Sequence, residues 1–498
     1  MKKYAILILI SCFFIIGCKK FLDIKPIGAQ FLTDLDAVKN TLGAWMYNLT
    51  RNGKASSVAH APTPWTGYQF SENNSFTSAV DVWSFAKWDQ SLENLSASQK
   101  MTIDRGTFRG DWSCYYELIG LMNLVIVEGS TAKGDEITRD YVLGEAYIQR
   151  AYYFLKLLQY YAPIDDPTIG IPVHLQINQS IEEADLSRKP QSIVFDQIIA
   201  DIDAAELRIN RTEPKKGYSV MYNRDWIYRI ASQAYLWKAS SALGEVKDWE
   251  MAARYAKKAI DNPSLHTTTK TMPFDMETLD QKVMAYQDDN GSSGLHQNGY
   301  PESLAQGSNT YAFLTNKFTY SISVWNTLYH DGDLRKTEWF LDPSNYEKNA
   351  ADIVEDEIDP SRKIKGNQVY IIFRLAEQWL IYVEALAMTG QIPEAQQALI
   401  QWRTLRYKQE VIPTLDMPQT AEAIQKEVYL ERKREFLGES DIIWLDMKRF
   451  HVTETRTVQD FTATLQADDF RFQFYIPSNE IKYNPDMISN PGWSSLFY

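Results

Sequence analysis

The amino-acid sequence predicts an all-α protein with long irregular loops and a few short strands. Three observations predict this class. Apolar residues recur every three or four positions along most of the chain, two helix pairs share one pattern of small residues, and strand patterns are few and short. The chain has 498 residues, of which 45% are hydrophobic, so it can bury a large core.

Helical periodicity dominates the first half of the sequence, and further helices are expected in the second half. The first predicted helix begins at a capping Thr33 or Asp34, and Pro163 ends the longest one. Helices are expected at 34–50, 111–129, 137–163, 191–209, 223–242, 248–261, 370–389, 393–408 and 420–437. A short strand is expected at 470–477, FRFQFYIP.

Two of these helix pairs have the same plan. The first turns at Gly244 and continues with Ala252, Ala256 and Ala259 on one face; the second turns at Gly390. Small residues at such intervals let antiparallel helices pack closely, as in tetratricopeptide units. The two turns are too far apart for a tandem repeat, so the hairpins are expected to be distributed through a larger fold.

The N-terminal segment has the pattern of a bacterial lipoprotein signal. Lys2 and Lys3 precede the apolar run Tyr4–Ile16, and Gly17-Cys18 follows. The run is shorter than the roughly 20 residues that span a bilayer. Ile15-Ile16-Gly17-Cys18 looks like a lipobox, so residues 1–17 are interpreted as a signal peptide and Cys18 as the lipidated residue. The alternative is an ordinary cleaved signal with a coincidental cysteine.

Charge and cysteine content disfavour some classes of function and one kind of cross-link. The net charge of −13 becomes −15 when Lys2 and Lys3 are removed, which disfavours nucleic-acid binding. The cysteines are Cys12, Cys18 and Cys114, and after removal of Cys12 and lipidation of Cys18 a single thiol is left, so no internal disulfide is expected.

Two aromatic-rich stretches lack sustained periodicity. They lie at 63–91 and roughly 262–365, and irregular segments of this length in a compact protein are usually functional or disordered. Since the second is rich in Tyr, Phe and Trp, we interpret it as ordered and functional.

No motif indicates catalysis. The sequence contains no Gly-rich phosphate loop, G-x-S-x-G elbow or H-E-x-x-H pair, and its six histidines are scattered. The acidic turns at 288–291 and 331–333 do not have the spacing of a 12-residue calcium loop and are interpreted as solvated turns. We therefore expect no enzyme activity, cofactor or metal.

Several segments together resemble the SusD/RagB family of outer-membrane lipoproteins of Bacteroidetes. The resemblance begins with Phe21-Leu22-Asp23 and Pro26 and continues through FLTDLDAVKNTLGAWMYNL and GEAYIQRAYYFLKLLQYYAPI. It extends over FRLAEQWLIYVEALAMTG, ERKREFLGESDIIWLDMKRF and YIPSNEIKYNPDMISNPGW. These segments occur in the family's order, and they are spread over nearly the whole mature chain. Signature residues Glu145, Arg150, Glu431 and Arg432 are interpreted as partners in ion pairs or hydrogen bonds that fix helix packing.

The resemblance implies a SusD-like fold and a surface lipoprotein that passes a nutrient to a SusC-like TonB-dependent transporter. Family members mostly bind oligosaccharides on aromatic rings with flanking polar groups, and the protein would face outward from the outer membrane. It also implies two regions after the signal, 18–261 and 262–498, the second including ligand-binding loops.

The ligand-binding candidates come from the two aromatic-rich stretches. Sugar rings have apolar faces that stack on Trp or Tyr, while polar side chains bind their hydroxyls. The candidates are Trp65, Tyr68, Asn73, Asn74, Asp81, Trp83, Trp88, Tyr286, Asn298, Tyr300, Tyr320 and Trp325. For each aromatic residue, packing beneath its own loop is the alternative.

Three other functions remain open at this stage. The same architecture could bind peptides, the hairpins could hold other envelope proteins as a scaffold, or two carboxylates among the 64 acidic residues could form a glycosidase site. Peptide binding would favour a flat acidic groove, a scaffold would co-purify with partners other than a transporter, and a glycosidase would show turnover.

Overall fold

The structure, a computed structural model, confirms the helical fold. It describes residues 32–39, 41–42, 107–177, 184–209, 224–261, 303–307, 320–321, 326–338, 357–358, 369–436, 442–458 and 461–493. The helices are α1 (Thr107–Thr131), α2 (Glu136–Tyr161), α3 (Gln191–Ile209), α4 (Arg224–Ser240), α5 (Val246–Asp261), α6 (Leu334–Glu338), α7 (Leu375–Met388), α8 (Ile392–Thr404), α9 (Ala421–Phe436), α10 (Ile442–Arg449) and α11 (Ser478–Tyr483). Residues 35–39 and 41–42 are also helical.

The strands are short and form two-stranded antiparallel ladders. They are β1 (Ser303–Gly307), β2 (Tyr320–Ser321), β3 (Glu357–Ile358), β4 (Val369–Arg374), β5 (Glu454–Val458) and β6 (Phe461–Leu465). The pairs are β1 with β4, β2 with β3, and β5 with β6. The first ladder has an irregular register between Leu304 and Ala305.

The helices form an array of packed pairs. α2 packs against α1 and α3, α4 packs against α5, and α7 packs against α8 and α9. α5 also packs against α7, although the chain between them is more than a hundred residues long. The two hairpins predicted from their turn glycines are therefore neighbours in space, as successive tetratricopeptide units are.

Each hairpin turn depends on its glycine in a different way. Gly390 ends α7 with φ of 77°, and the amide of Gln391 donates to the carbonyl of Leu386 over 2.9 Å. Gly244 has no need of positive φ, but a Cβ there would lie 2.1 Å from the carbonyl oxygen of Ala239. Across this turn, Lys238 of α4 donates to both carboxylate oxygens of Asp248 of α5.

One hydrophobic core runs through the array. It includes Tyr153 of α2, Trp226 of α4, Ala256 of α5, Leu380 of α7 and Trp444 of α10, all at most 1% exposed. Residues on both sides of position 261 thus share this core. Among the described residues, no helix is both long and apolar enough to span a bilayer.

Two local predictions were wrong. Residues 370–374, expected to begin a helix, belong to strand β4, where a β-branched and aromatic run pairs with β1. The expected strand at 470–477 is instead a 3₁₀ turn, Phe470–Phe472, followed by irregular backbone. Its amides and carbonyls bind elsewhere: the amide of Phe474 donates to the carbonyl of Tyr160, and Trp493 Nε1 donates to the carbonyl of Gln473.

Candidate functional site

Most of the predicted site residues lie outside the described residues. These are Cys18, Trp65, Tyr68, Asn73, Asn74, Asp81, Trp83, Trp88, Tyr286, Asn298, Tyr300 and Trp325. Tyr320 is the exception, since its backbone lies in β2 opposite Ile358 of β3. The described structure therefore shows the helices and strands around the two aromatic-rich stretches, which we call the frame.

The helical elements that flank each stretch are fixed in the core. Before the first stretch, Val38 and Leu42 are fully buried, and Asp34 forms a bridge with Lys133 beyond α1. The second stretch leaves from α5 and returns through β4 to α7, which packs directly against α5. The second stretch thus leaves from and returns to helices that pack against each other, and we refer to the two stretches as insertions.

A segment within the second insertion, residues 326–338, is bound to the frame. It begins one residue after Trp325, and its Leu328 and Tyr329 are buried. The amide of Leu334 donates to the carbonyl of Arg406 over 2.9 Å, and the amide of Lys408 donates to the carbonyl of Gly332 over the same distance. We call residues 326–338 the anchored segment.

A buried ionic cluster holds the anchored segment against α9. Arg335 donates from Nε to Asp333 Oδ1 at 2.9 Å, from Nη2 to Glu431 Oε2 at 2.8 Å and from Nη1 to Glu435 Oε2 at 3.1 Å. All four side chains are completely buried. Such a guanidinium can satisfy three carboxylates at once because its five N–H groups form a fixed planar fork.

Residues at the end of α8 and just after it complete the cluster. Arg406 donates to both oxygens of Glu435 at 2.9 Å, while the Tyr407 hydroxyl donates to Glu431 Oε1 at 2.6 Å. Trp402 Nε1 donates to Glu431 Oε2 at 3.1 Å. Although burial alone would raise it, the guanidinium groups of Arg335 and Arg434 lower the pKa of Glu431 to about 2. Glu431 is therefore a structural anion at neutral pH.

The acidic turn at 331–333 is only partly solvated. Asp331 is fully exposed, as expected, and lies 3.5 Å from Lys336 Nζ. Asp333 was expected in solvent but is buried, and both its oxygens accept from Arg335. The reason is that a buried guanidinium requires counter-charges, and Asp333 is two residues away. Among the described residues, no group of three metal-ligating side chains occurs.

A second ionic cluster joins α7, α9 and α10. Arg432 donates to Asp446 Oδ2 at 2.6 Å and to Glu377 Oε1 at 3.3 Å. Arg449 donates to Asp446 Oδ1 at 2.9 Å and to both oxygens of Glu384. The structural interpretation of Arg432 and of Glu431 is confirmed, because both fix helix packing through buried ion pairs.

The signature residues of α2 divide into two cases. Arg150 is confirmed as a packing residue, since it donates to Asp201 of α3 at 2.9 and 2.7 Å and to Asn123 of α1 at 2.7 Å. Glu145 instead accepts one hydrogen bond from Gln149 of its own helix, and its buried Oε2 atom accepts none. Burial raises the pKa of Glu145 to about 8, so this carboxyl is protonated at neutral pH.

The C-terminal segment is held by a polar clasp. Asn490 Nδ2 donates to the carbonyls of Tyr161 at 2.9 Å and Phe474 at 2.6 Å. Arg188 donates to Asn490 Oδ1 at 2.7 Å and to the carbonyl of Tyr161 at 2.8 Å. The terminal signature thus closes the chain onto the end of α2.

Sequence reasoning missed Arg188, Asp333 and Arg335. The partners of Arg188 and Arg335 lie far away in the sequence, and Asp333 lies in an apparent surface turn.

Comparison with known proteins decides the family. A family model described as the SusD family matches residues 210–493, which is more than half of the chain. The chain belongs to the SusD family. A second model, described as starch-binding and associating with the outer membrane, matches residues 20–236, so the two SusD models together extend over residues 20–493. No curated protein matches the chain significantly.

Solved structures share the SusD fold. A SusD superfamily protein from Bacteroides thetaiotaomicron has 17% identity and a TM-score of 0.64, with 92% of this chain and 100% of that chain covered. A SusD-like carbohydrate binding protein from Bacteroides vulgatus has 19% identity and a TM-score of 0.60, with 91% and 97% covered. NanU of B. fragilis has 17% identity and a TM-score of 0.60, with 95% and 100% covered. At these identities the likeness concerns the fold.

Proposed function

We propose that this protein is an outer-membrane lipoprotein that binds oligosaccharides and delivers them to a SusC-like TonB-dependent transporter. The observation that carries the proposal is the pair of SusD family matches at residues 20–236 and 210–493, the first described as starch-binding and associating with the outer membrane. Among relatives of the same fold, one is a SusD-like carbohydrate binding protein.

The proposed anchor is Cys18, exposed as the new N-terminus when residues 1–17 are removed. A single acyl chain holds a protein only marginally, whereas two or more chains give stable attachment. A diacylglyceryl group with an additional acyl chain on Cys18 satisfies that requirement. The region 18–261 then begins at the membrane, and the region 262–498 carries the larger aromatic insertion.

The proposed binding mechanism is stacking of sugar rings on aromatic side chains held by a rigid frame. Trp65, Tyr68, Trp83 and Trp88 would come from the first insertion, and Tyr286, Tyr300, Tyr320 and Trp325 from the second. Two features support the second set. The backbone of Tyr320 is paired with β3, and Trp325 immediately precedes the anchored segment. A pre-organised aromatic platform binds with little loss of conformational entropy.

The polar side chains proposed to bind sugar hydroxyls are Asn73, Asn74, Asp81 and Asn298. The proposed role requires binding and release without bond cleavage. In the described part of the chain, three signature or cluster carboxyls, Glu431, Glu435 and Glu145, are fully buried in the core and do not reach solvent. They stabilise the frame rather than act on a ligand.

Screening the mature protein against immobilised plant, host and microbial glycans and a peptide digest tests the ligand class. We expect retention on one glycan class and none on peptides. Retention on peptides alone would replace the proposal with a peptide-binding function of the same architecture. Turnover of any glycan would instead indicate a glycosidase.

Isolation of the complex in mild detergent tests delivery. A tagged full-length chain is expected to co-purify with a TonB-dependent transporter from its own membranes. Co-purification with other envelope proteins, and never with a transporter, would favour a scaffold. A Tyr483→Ala variant is a suitable control for surface effects, because Tyr483 is 74% exposed and lies in α11, outside both insertions.

A further inference from the structure

His330 lies at the exposed edge of the anchored segment, beside Arg434 of α9. Its Nε2 atom is 3.0 Å from Arg434 Nη2. A guanidinium has donors and no acceptor, so Nε2 of the imidazole must supply the lone pair. The ring in this geometry is therefore neutral and carries its proton on Nδ1.

Arg434 also binds the two residues before His330. Its Nε donates to the carbonyl of Leu328 at 2.7 Å, and its own carbonyl accepts from the Tyr329 hydroxyl at 2.7 Å. Three successive residues of the anchored segment thus contact Arg434: Leu328 and His330 through its guanidinium, and Tyr329 through its backbone carbonyl. His330 is the outermost of the three and the only one that titrates near neutral pH.

The charges facing His330 come from two elements. Arg434, Glu427 and Glu431 lie on α9, and Asp333 lies on the anchored segment itself. The Tyr407 ring, with its centroid 6.4 Å away, is neutral because burial raises the pKa of its hydroxyl. Burial and the positive charge of Arg434 lower the pKa of His330, and the three carboxylates only partly oppose this.

We propose that His330 is a pH-sensitive latch, whose protonation breaks its contact with the Arg434 guanidinium and loosens the anchored segment. A proton bound at Nε2 removes the acceptor and places a second positive charge beside the guanidinium. Glu427 Oε1 accepts from Arg403 at 3.2 Å and from Arg434 at 3.3 Å, and its negative charge favours the protonated ring.

The direction of the effect follows from linkage. A histidine whose pKa is lowered in the folded state stabilises the fold above its unfolded value of about 6.5 and loses that contribution as the pH falls through its folded value. Glu431, which binds Arg335 in the buried ionic cluster, stays charged well below this range, because its pKa is about 2. Mild acid is thus expected to loosen the Arg434 contacts while the Arg335 cluster persists.

Hydrogen–deuterium exchange of the full mature chain tests the latch without any ligand, so its outcome is independent of the proposed function. Exchange is measured at about pH 7.5 and about pH 5, either side of the unperturbed histidine pKa, and corrected for the intrinsic chemical rate. Peptides covering 326–338 are expected to lose protection on the order of fivefold in acid, the factor for one lost hydrogen bond.

Variants separate the latch from general acid effects. His330→Gln, which can accept from Arg434 at both pH values, is expected to abolish the acid-induced loss, and His330→Lys is expected to show low protection at both. His451→Asn is the matched control, an exposed histidine whose φ of 51° asparagine tolerates. Peptides from α2 report global folding. An equal acid-induced loss in the wild type and His330→Gln, or none in the wild type, would overturn the proposal.

Discussion

Arg449 of α10 donates to both carboxylate oxygens of Glu384 of α7, over 2.7 and 2.8 Å, although 65 positions separate the two residues in the sequence. Neither side chain is more than 2% exposed. Arg449 also binds Asp446 of its own helix, so one guanidinium joins α10 to the helix pair of α7 and α8. The signature residues of this family segment therefore hold helices together.

Arg449→Met is expected to lower the free energy of unfolding by about 3–5 kcal/mol, because it leaves Glu384 and Asp446 buried with one fewer counter-charge. Urea unfolding followed by circular dichroism measures the change. Lys257→Met, which removes an exposed pair with Asp261, is the control and should cost no more than about 1 kcal/mol. Equal effects of the two substitutions would show that the buried pair is not a major packing interaction.

Glu145 gives the fold a pH dependence in the opposite direction from His330. Its pKa is about 8 in the folded state against 4.5 in an unperturbed chain, so between these values the folded state holds a proton that the unfolded chain has lost. The free energy of unfolding should thus decrease as the pH rises through this range. Glu145→Gln keeps the contact with Gln149 and should remove the decrease.

Urea unfolding of the wild type and Glu145→Gln at several pH values from about 5 to about 8 measures this difference. Glu136→Gln in the same helix is the control, because the Glu136 side chain is 77% exposed. Identical pH slopes for all three proteins would contradict the assignment of a protonated carboxyl at position 145.

Asn490→Ala is expected to destabilise the fold by about 2–3 kcal/mol, since it leaves the carbonyls of Tyr161 and Phe474 and one donor of Arg188 without this partner. Thermal unfolding monitored by calorimetry measures the loss. Ser489→Ala removes only a 3.4 Å contact and should change stability by less than about 0.5 kcal/mol. A neutral Asn490→Ala variant would show that the C-terminal clasp is not a stabilising feature.

Cys18→Ser is expected to move the protein from the membrane fraction to the periplasm, because the proposed acyl chains provide its attachment. Fractionation and labelling with a radioactive fatty acid measure the two effects together. Retention of the variant at the membrane, or absence of label in the wild type, would mean that another feature attaches the chain.

Most long helices could be predicted from the sequence because their apolar residues recur with helical periodicity and are buried in a common core. The predicted helix at 191–209 coincides with α3, and 420–437 with α9 to within one residue at each end. The strand prediction at 470–477 failed because the end of α2 and two later side chains, and not a neighbouring strand, bind that backbone. Asn490 and Trp493, which do so, follow it by only a short stretch of chain but give no periodic signal.

The partners of the charged residues could not be predicted in the same way. Arg335 binds Glu431 and Glu435 across about a hundred residues, and with 64 acidic residues in the chain no spacing rule selects those two. The resemblance did identify Glu431 as a packing residue. The ligand-binding candidates other than the backbone of Tyr320 lie outside the described residues and stay predictions.

Calorimetric titration of the mature protein without Cys18 against oligosaccharides of the retained glycan class tests the central claim most directly. We expect heat of binding, with Trp83→Ala or Trp325→Ala weakening affinity at least about tenfold, or 1.4 kcal/mol, and Tyr483→Ala leaving it unchanged. No heat with any oligosaccharide, or binding unaffected by both tryptophan substitutions, would contradict oligosaccharide capture on the proposed aromatic platform.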